Sequence, residues 1–351
     1  MIAFIENKVP DMTRVAALLE SCRAINHWTN RGPLYRRLAE AYTEYFGLGP
    51  DRAVTPCANG GVALEAIARL LAHKAGRKLR WVGSAFSFQN LGRGYFADMR
   101  FVDCDIHGLL DLDAVRILDR EIYDGLVVVN PFGLTRDFSA YAIFARETGK
   151  ELIIDNAAGI DETIPDWPWQ SFSLHHTKPY GAGEGGLALT PADAAEELYG
   201  LLDYGEAPSD PAIWLNNGRI SDIACAFQLD RLERRSDWAP LYHEQAARVF
   251  RIAREVGLAP LYPFGDAPPA TSWPYLAPHP VPLERIKASR RLTFAKYYKP
   301  LADLPRIQEL YARIVNIPTH PNVDELTDGE LRDEVRQHVL HSDALRDVRG
   351  R

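Results

Sequence analysis

Short, largely apolar runs alternate with amphipathic stretches over the first two hundred residues. Ala63 to Ala72 places its apolar residues at helical spacing, and Tyr141 to Thr148 does the same. Leu79 to Val82, Arg100 to Val102 and Leu126 to Val129 lie between them and Leu152 to Ile154 after them, each short enough for a strand, the last two apolar throughout. Strands without alternation are buried on both sides, so the pattern predicts a largely parallel sheet with helices on each face. In such sheets ligands gather at the carboxyl ends of the strands. Asn59 to Gly61, Ser87 with Phe88, Asn130 and Asp155 are therefore expected along one sheet edge.

A helical segment from Ile220 to Arg235 carries the chain onward. The proline-rich stretch Ala259 to Pro282 predicts loops and edge strands, because proline supplies no N–H to a sheet. Leu283 to Ala295 and an acidic helix from Asp328 then fit a smaller mixed domain. The expected division is residues 1–235, an N-terminal arm and large domain, and residues 236–351, a small domain.

Composition changes this picture little. Of 351 residues, 46% are hydrophobic and 25% charged, as in an ordinary globular enzyme, and a net charge of −7 argues against a general nucleic-acid binder. No stretch approaches the roughly 18 unbroken apolar residues of a spanning helix, and the N-terminus meets an acid and a proline early, unlike a signal peptide. The four cysteines are scattered without metal-site spacing, which predicts reduced thiols, no zinc and a cytoplasmic protein.

The chemistry concentrates in SFSLHHTKPYGAGEGG, Ser171 to Gly186, where Lys178 stands among a hydroxyl, small residues and glycines. Asp155 ends the apolar run that precedes it. A buried acid and a lysine so placed suit pyridoxal phosphate: Lys178 forms a Schiff base, and Asp155 keeps the pyridinium nitrogen protonated. Asn59, Gly60 and Gly61, directly before a helix expected to start near Val62, offer backbone N–H groups to a phosphate. Ser173, five residues before Lys178, is a second phosphate candidate. Phe88 could stack on the ring, with Phe86 as the fallback. Of His175 and His176, neighbours on an extended chain, at most one faces the cofactor, and no metal is expected. Trp167 and Trp169 either line an acceptor pocket or anchor a packed loop.

Together these residues resemble the DegT/DnrJ/EryC1/StrS sugar aminotransferases. Trp28 to Gly47 is similar to the family's opening segment, and ANGGVAL (Ala58 to Leu64) stands where the family has a serine-glycine-threonine phosphate turn, with Asn59 and Gly61 replacing both hydroxyl residues. IDNAAG matches at Asp155 but puts Ala158 where a glutamine or histidine meets the ring hydroxyl. The resemblance implies a fold type I pyridoxal phosphate-dependent transferase: α/β, with a mostly parallel central sheet flanked by helices and a smaller C-terminal α+β domain. It also implies a homodimer with shared active sites, in which Asn217 reaches the phosphate of the neighbouring subunit and Arg219 serves the interface or substrate. AKYYKPLAD, Ala295 to Asp303, resembles the tract that approaches a sugar nucleotide. The implied reaction moves an amino group from an amino acid, with L-glutamate expected, to a keto-sugar in amino-sugar, polysaccharide or natural-product biosynthesis. Family members that dehydrate or deoxygenate sugars carry histidine in place of the lysine, so Lys178 argues against that chemistry; a non-catalytic regulatory protein is the other alternative.

Overall fold

The computed structural model describes residues 1–205, 213–265 and 267–340, so the expected small domain, 236–351, runs beyond them. Among the described residues seven strands form one sheet, in the order β1 (Arg52–Cys57), β7 (Gly186–Pro191), β6 (Gln170–Ser173), β5 (Glu151–Asp155), β4 (Gly125–Val129), β2 (Trp81–Ser84) and β3 (Arg100–Val102). The pairs from β6 to β3 are parallel, and β7 alone runs against its neighbours. This is the mostly parallel α/β sheet of fold type I enzymes.

The alternation of side chains along a strand explains why the central strands are apolar throughout. Val127, Val129 and Ile153 pack beneath α3 (Gly60–Lys74), while Leu126, Val128, Leu152 and Ile154 face α5 (Ser139–Thr148) on the other side. Asp155 shares the parity of Ile153 but lies one step past the apolar layer, at the strand's carboxyl end.

Helices α1 (Met12–Ile25) and α2 (Pro33–Tyr45) pack on α7 (Asp222–Glu233), and α4 (Leu112–Arg116) and α6 (Ala195–Gly200) are short covers. The buried carboxylate of Asp222 accepts the Leu34 and Tyr35 amides at 2.8 and 3.1 Å and so ties α7 to the start of α2. The helical segment expected from Ile220 to Arg235 is α7, followed at once by α8 (Arg235–Glu255). The first half of α8 places Trp238 and Tyr242 in the core around α1 and α2, and its second half places Val249 and Ile252 in a second core.

That second core is built on a three-stranded antiparallel sheet, β10 (Ile314–Pro318), β9 (Ser272–Leu276) and β8 (Ala259–Pro260), with α9 (Leu283–Lys287), α10 (Pro305–Arg313) and α11 (Asp328–Val335). The proline-rich stretch therefore supplies a central strand, β9, where only edge strands were expected. Pro274 is tolerated because its carbonyl accepts from Leu261, one residue past the end of β8, so its missing N–H falls at the last bonded position of that ladder.

Candidate active site

Asn59, Gly60, Gly61, Phe88, Asn130, Asp155, Ala158, Ser173 and Lys178 all line one cavity of about 540 Å³. It opens at the carboxyl ends of the parallel strands, as expected for such sheets. Ser87 is buried beside it without lining it.

The N-terminus of α3 meets the lysine-bearing hairpin here. The helix begins at Gly60 and not near Val62, with Asn59 as its cap and its side-chain oxygen accepting the Val62 amide at 3.0 Å. Glycines are poor helix formers, which hid this start, but tertiary packing requires Gly60. A Cβ there would stand 2.9 Å from the Ser173 Cβ and 3.1 Å from the Phe172 carbonyl oxygen. Gly186, at the end of the GEGG run, is required on the same ground: a Cβ would lie 2.2 Å from the Asn59 carbonyl carbon.

Lys178 lies in the connection between β6 and β7. Its ammonium is buried, and burial pulls its pKa below the ordinary lysine value, partly opposed by the Asp155 charge. Burial likewise pushes the Asp155 carboxyl up to about 6, opposed by the Ser171 hydroxyl, by Lys178 and by the Ala157 amide. Ser171 Oγ and Ala157 N both donate to Oδ1 of Asp155, at 3.2 and 3.3 Å. A half-buried lysine and a buried carboxyl thus look into one cavity.

The remaining expectations divide. His175 lines the cavity and His176 does not, as expected of neighbours. Phe88 lines it while 53% exposed, so one face is free, whereas the fallback Phe86 is fully buried against Phe132 and Tyr298. Trp167 donates its indole N–H to the Leu152 carbonyl and Trp169 is buried beside α3, so both are packing residues and neither lines the cavity. Asn217 is exposed, outside its own chain's cavity, and accepts from Arg219 Nε at 2.9 Å; Arg219 is also held by Asp203 at 2.7 Å.

Sequence reasoning missed other lining residues, Phe4 and Ile5 of the N-terminal arm and Phe132 from the turn after β4. Of these only Phe132 carried a signal, the NPFG turn after an apolar run. The tract Ala295 to Asp303, singled out by its resemblance, reaches the cavity through Tyr297 and Tyr298, and Tyr298 stacks on Phe132 with ring centroids 5.2 Å apart. Gln228, fully buried on α7, donates to the Leu174, Ala182 and Glu184 carbonyls at 3.0 to 3.1 Å and accepts the Ala182 amide, so it fixes the Lys178 connection from beneath.

The residues present fit pyridoxal phosphate. Asp155 is a buried acid whose carboxyl is kept part way toward neutrality, suited to a ring nitrogen's proton. Gly60 leaves room that a Cβ would fill, beside the Ser173 side chain and a helix N-terminus, suited to a phosphate. Phe88 offers an uncovered aromatic face, and Lys178 a buried amine. Among the described residues no group of histidine, cysteine, aspartate and glutamate is arranged to hold a metal ion.

Comparison with known proteins adds sequence and fold evidence. Protein Rv3402c of Mycobacterium tuberculosis is 31% identical over 250 residues, 66% of this chain and 60% of that protein, so the chain matches less than two thirds of its relative's length. The solved structure of DesI, in the presence of its TDP-sugar product, superposes with a TM-score of 0.78 at 20% identity, covering 99% of this chain and 95% of that one. A DegT/DnrJ/EryC1/StrS aminotransferase from Brucella abortus gives a TM-score of 0.77 at 22% identity, covering 93% and 95%. At these identities the structures speak for the fold. The family model for the DegT/DnrJ/EryC1/StrS aminotransferases matches residues 11–261, a span that holds both halves of the cavity's chemistry, Asp155 and Lys178. The chain belongs to the DegT/DnrJ/EryC1/StrS aminotransferase family, whose cofactor is pyridoxal phosphate.

Proposed function

We propose that this protein is an aminotransferase that moves an amino group from L-glutamate to a keto-sugar, nucleotide-linked, in amino-sugar or polysaccharide biosynthesis. The observation that carries this reading is the shared burial of Lys178 and Asp155 in one cavity, with the lysine pKa lowered and the carboxyl raised. When bound, pyridoxal phosphate supplies the electron sink for the pair left behind when a substrate C–H bond breaks.

The chain's own residues do the rest. Lys178, with its amine made easier to deprotonate by burial, would hold the cofactor, and the same amine would take a proton from the substrate carbon and return it. Asp155 would hold a proton on the ring nitrogen, and Phe88 would offer its face to the ring. Gly60, Gly61 and Asn59 offer the α3 N-terminus to the phosphate together with Ser173; Ala158 contributes backbone where a longer side chain would meet the ring hydroxyl. Asn217 completes the phosphate site of a partner subunit in a homodimer. A sugar acceptor is supported by family membership and by DesI, whose structure holds a TDP-sugar product. A cytoplasmic location accords with four buried free cysteines, and among the described residues no helix is long and apolar enough to cross a membrane.

The test is the absorption spectrum of the purified protein with pyridoxal phosphate, before and after L-glutamate. A band near roughly 400 to 430 nm that moves to about 330 nm is expected, followed by amino transfer to a member of a keto-sugar panel. Transfer that persists in Lys178→Ala would overturn the reading.

A further inference from the structure

The N-terminal arm crosses the mouth of the cavity from the smaller sheet's core to the large sheet's side. Ile2 bridges to Leu292, the Ala3 carbonyl accepts from His320 at 3.0 Å, Phe4 and Ile5 line the cavity, and Glu6 pairs with Arg231 of α7 at 2.6 Å. The chain then places Lys8 beneath the Lys178 connection. Its ammonium donates to the carbonyls of His176 at 2.7 Å, Gly181 at 2.6 Å and Lys178 itself.

An ammonium has three donors, and here all three go to carbonyls of one loop. No carboxylate among the described residues pairs directly with Lys8 in return. The groups facing it are the Glu6 and Arg231 pair, His176 and His320, and burial with Arg231 outweighs Glu6 in bringing the Lys8 pKa down to about 7. Withdrawing an ammonium from water with no carboxylate bonded to it is costly, and the three carbonyl oxygens are what offset that cost here. Arg231 adds a bond to the Pro179 carbonyl at 2.8 Å. Lys8, Arg231 and Gln228 thus hold seven of the loop's carbonyls from outside it, and Lys8 shares the Lys178 carbonyl with the Gly181 amide, which donates to it at 2.9 Å.

We propose that Lys8 is a positioning residue for Lys178: by gripping the backbone of residues 176, 178 and 181, it keeps the Lys178 amine withdrawn from water and directed at the cavity. The proposal rests on the reading of Lys178 as the cofactor lysine, but it concerns a property of the amine that exists before any cofactor binds. With the grip removed, the loop relaxes, water reaches the amine, and the lysine titrates closer to its ordinary value.

The experiment follows acetylation of Lys178 by acetic anhydride against pH, read by mass spectrometry, in the full-length cofactor-free protein and in Lys8→Met. The midpoint for Lys178 is expected to rise by about one unit in the variant as its burial is relieved. After loading with pyridoxal phosphate, the pH midpoint of the visible band is expected to move as well. If Lys8→Met does not fold, Lys8→Gln, which loses the charge and at least one of the three donors, is measured in its place, with a smaller rise of the Lys178 midpoint in the same direction expected. A Lys178 midpoint that stays put while the melting temperature falls makes Lys8 a structural staple and overturns the proposal. A protein that forms no visible band at all removes the cofactor reading, while the acetylation midpoints still decide the role of Lys8.

Discussion

Asp155 and Lys178 each bear the cost of burial that makes them useful, and the cost can be measured. The Asp155 carboxyl sits near 6 in the fold against an ordinary 3.8, a group raised on folding. Its contribution is most favourable below 3.8 and is lost as pH rises through 6, so at pH 8 the fold carries a buried carboxylate worth about 3 kcal/mol of destabilisation. Asp155→Asn is expected to raise the melting temperature of the cofactor-free protein at pH 8, by scanning calorimetry, with the gain shrinking as pH falls from 6 to 4. The same variant should lose amino transfer by about a hundredfold or more, since a neutral amide cannot hold the ring-nitrogen proton. A variant both less stable at pH 8 and fully active would contradict the role given to this carboxylate. At Gly60 the constraint is space. Gly60→Ala brings a Cβ to 2.9 Å from the Ser173 side chain, so the α3 N-terminus must move away from β6. Cofactor retention on dialysis, read by fluorescence, is expected to weaken about tenfold, because the backbone N–H groups leave the phosphate position.

The hairpin that carries Lys178 shows, at the level of elements, what holds the site still and what a sequence can announce. Gln228 satisfies three carbonyls and one amide of the connection between β6 and β7, and Gln228→Leu leaves all four without that partner in a buried setting. Urea unfolding is expected to show a loss of about 3 kcal/mol, the cost of several orphaned backbone groups after partial relaxation; a change under about 0.5 kcal/mol, the ordinary size for a surface substitution, would mean that other donors replace it. The parallel strands were legible because β4 and β5 are buried on both faces and leave no polar position between Gly125 and Val129 or between Leu152 and Ile154. Asp155 and Lys178 were legible for the complementary reason, as an acid and an amine placed where apolar runs stop. The start of α3 was misplaced by two residues because Gly60 is there for Ser173, not for the helix. β9 was read as an edge because the consequence of Pro274 depends on where β8 ends, which the prolines do not encode. Gln228 and Lys8 were invisible, since their partners lie 44 to 54 and 168 to 173 residues away.

At the scale of the whole molecule the cavity draws on distant parts of the chain: the arm at Phe4, the α3 N-terminus, Phe88 after β2, the ends of β4 to β6, the start of β9, and Tyr298 between β9 and β10. Asn217 is the candidate that this assembly leaves out. It is exposed, and its side-chain oxygen is presented by Arg219, which is itself fastened to Asp203 and Asn30. A long side chain held by three partners to orient a short exposed one makes sense if the Asn217 amide has a destination on another surface, which is the place the proposed homodimer would give it. The prediction is a complementation. Lys178→Ala destroys the site of its own chain, whereas Asn217→Asp sets a negative charge against the phosphate in the partner's site. Each variant alone is expected to be nearly inactive. Co-unfolded and refolded together in equal amounts, half the dimers are mixed, and each mixed dimer holds one site with both residues intact, so activity recovers to about a quarter of the unaltered protein's under two-fold symmetry. If Asn217 served only its own chain, the mixed dimers would contain no intact site and activity would not recover. The dimer fraction, read by light scattering on the same samples, separates that outcome from a failure to reassemble.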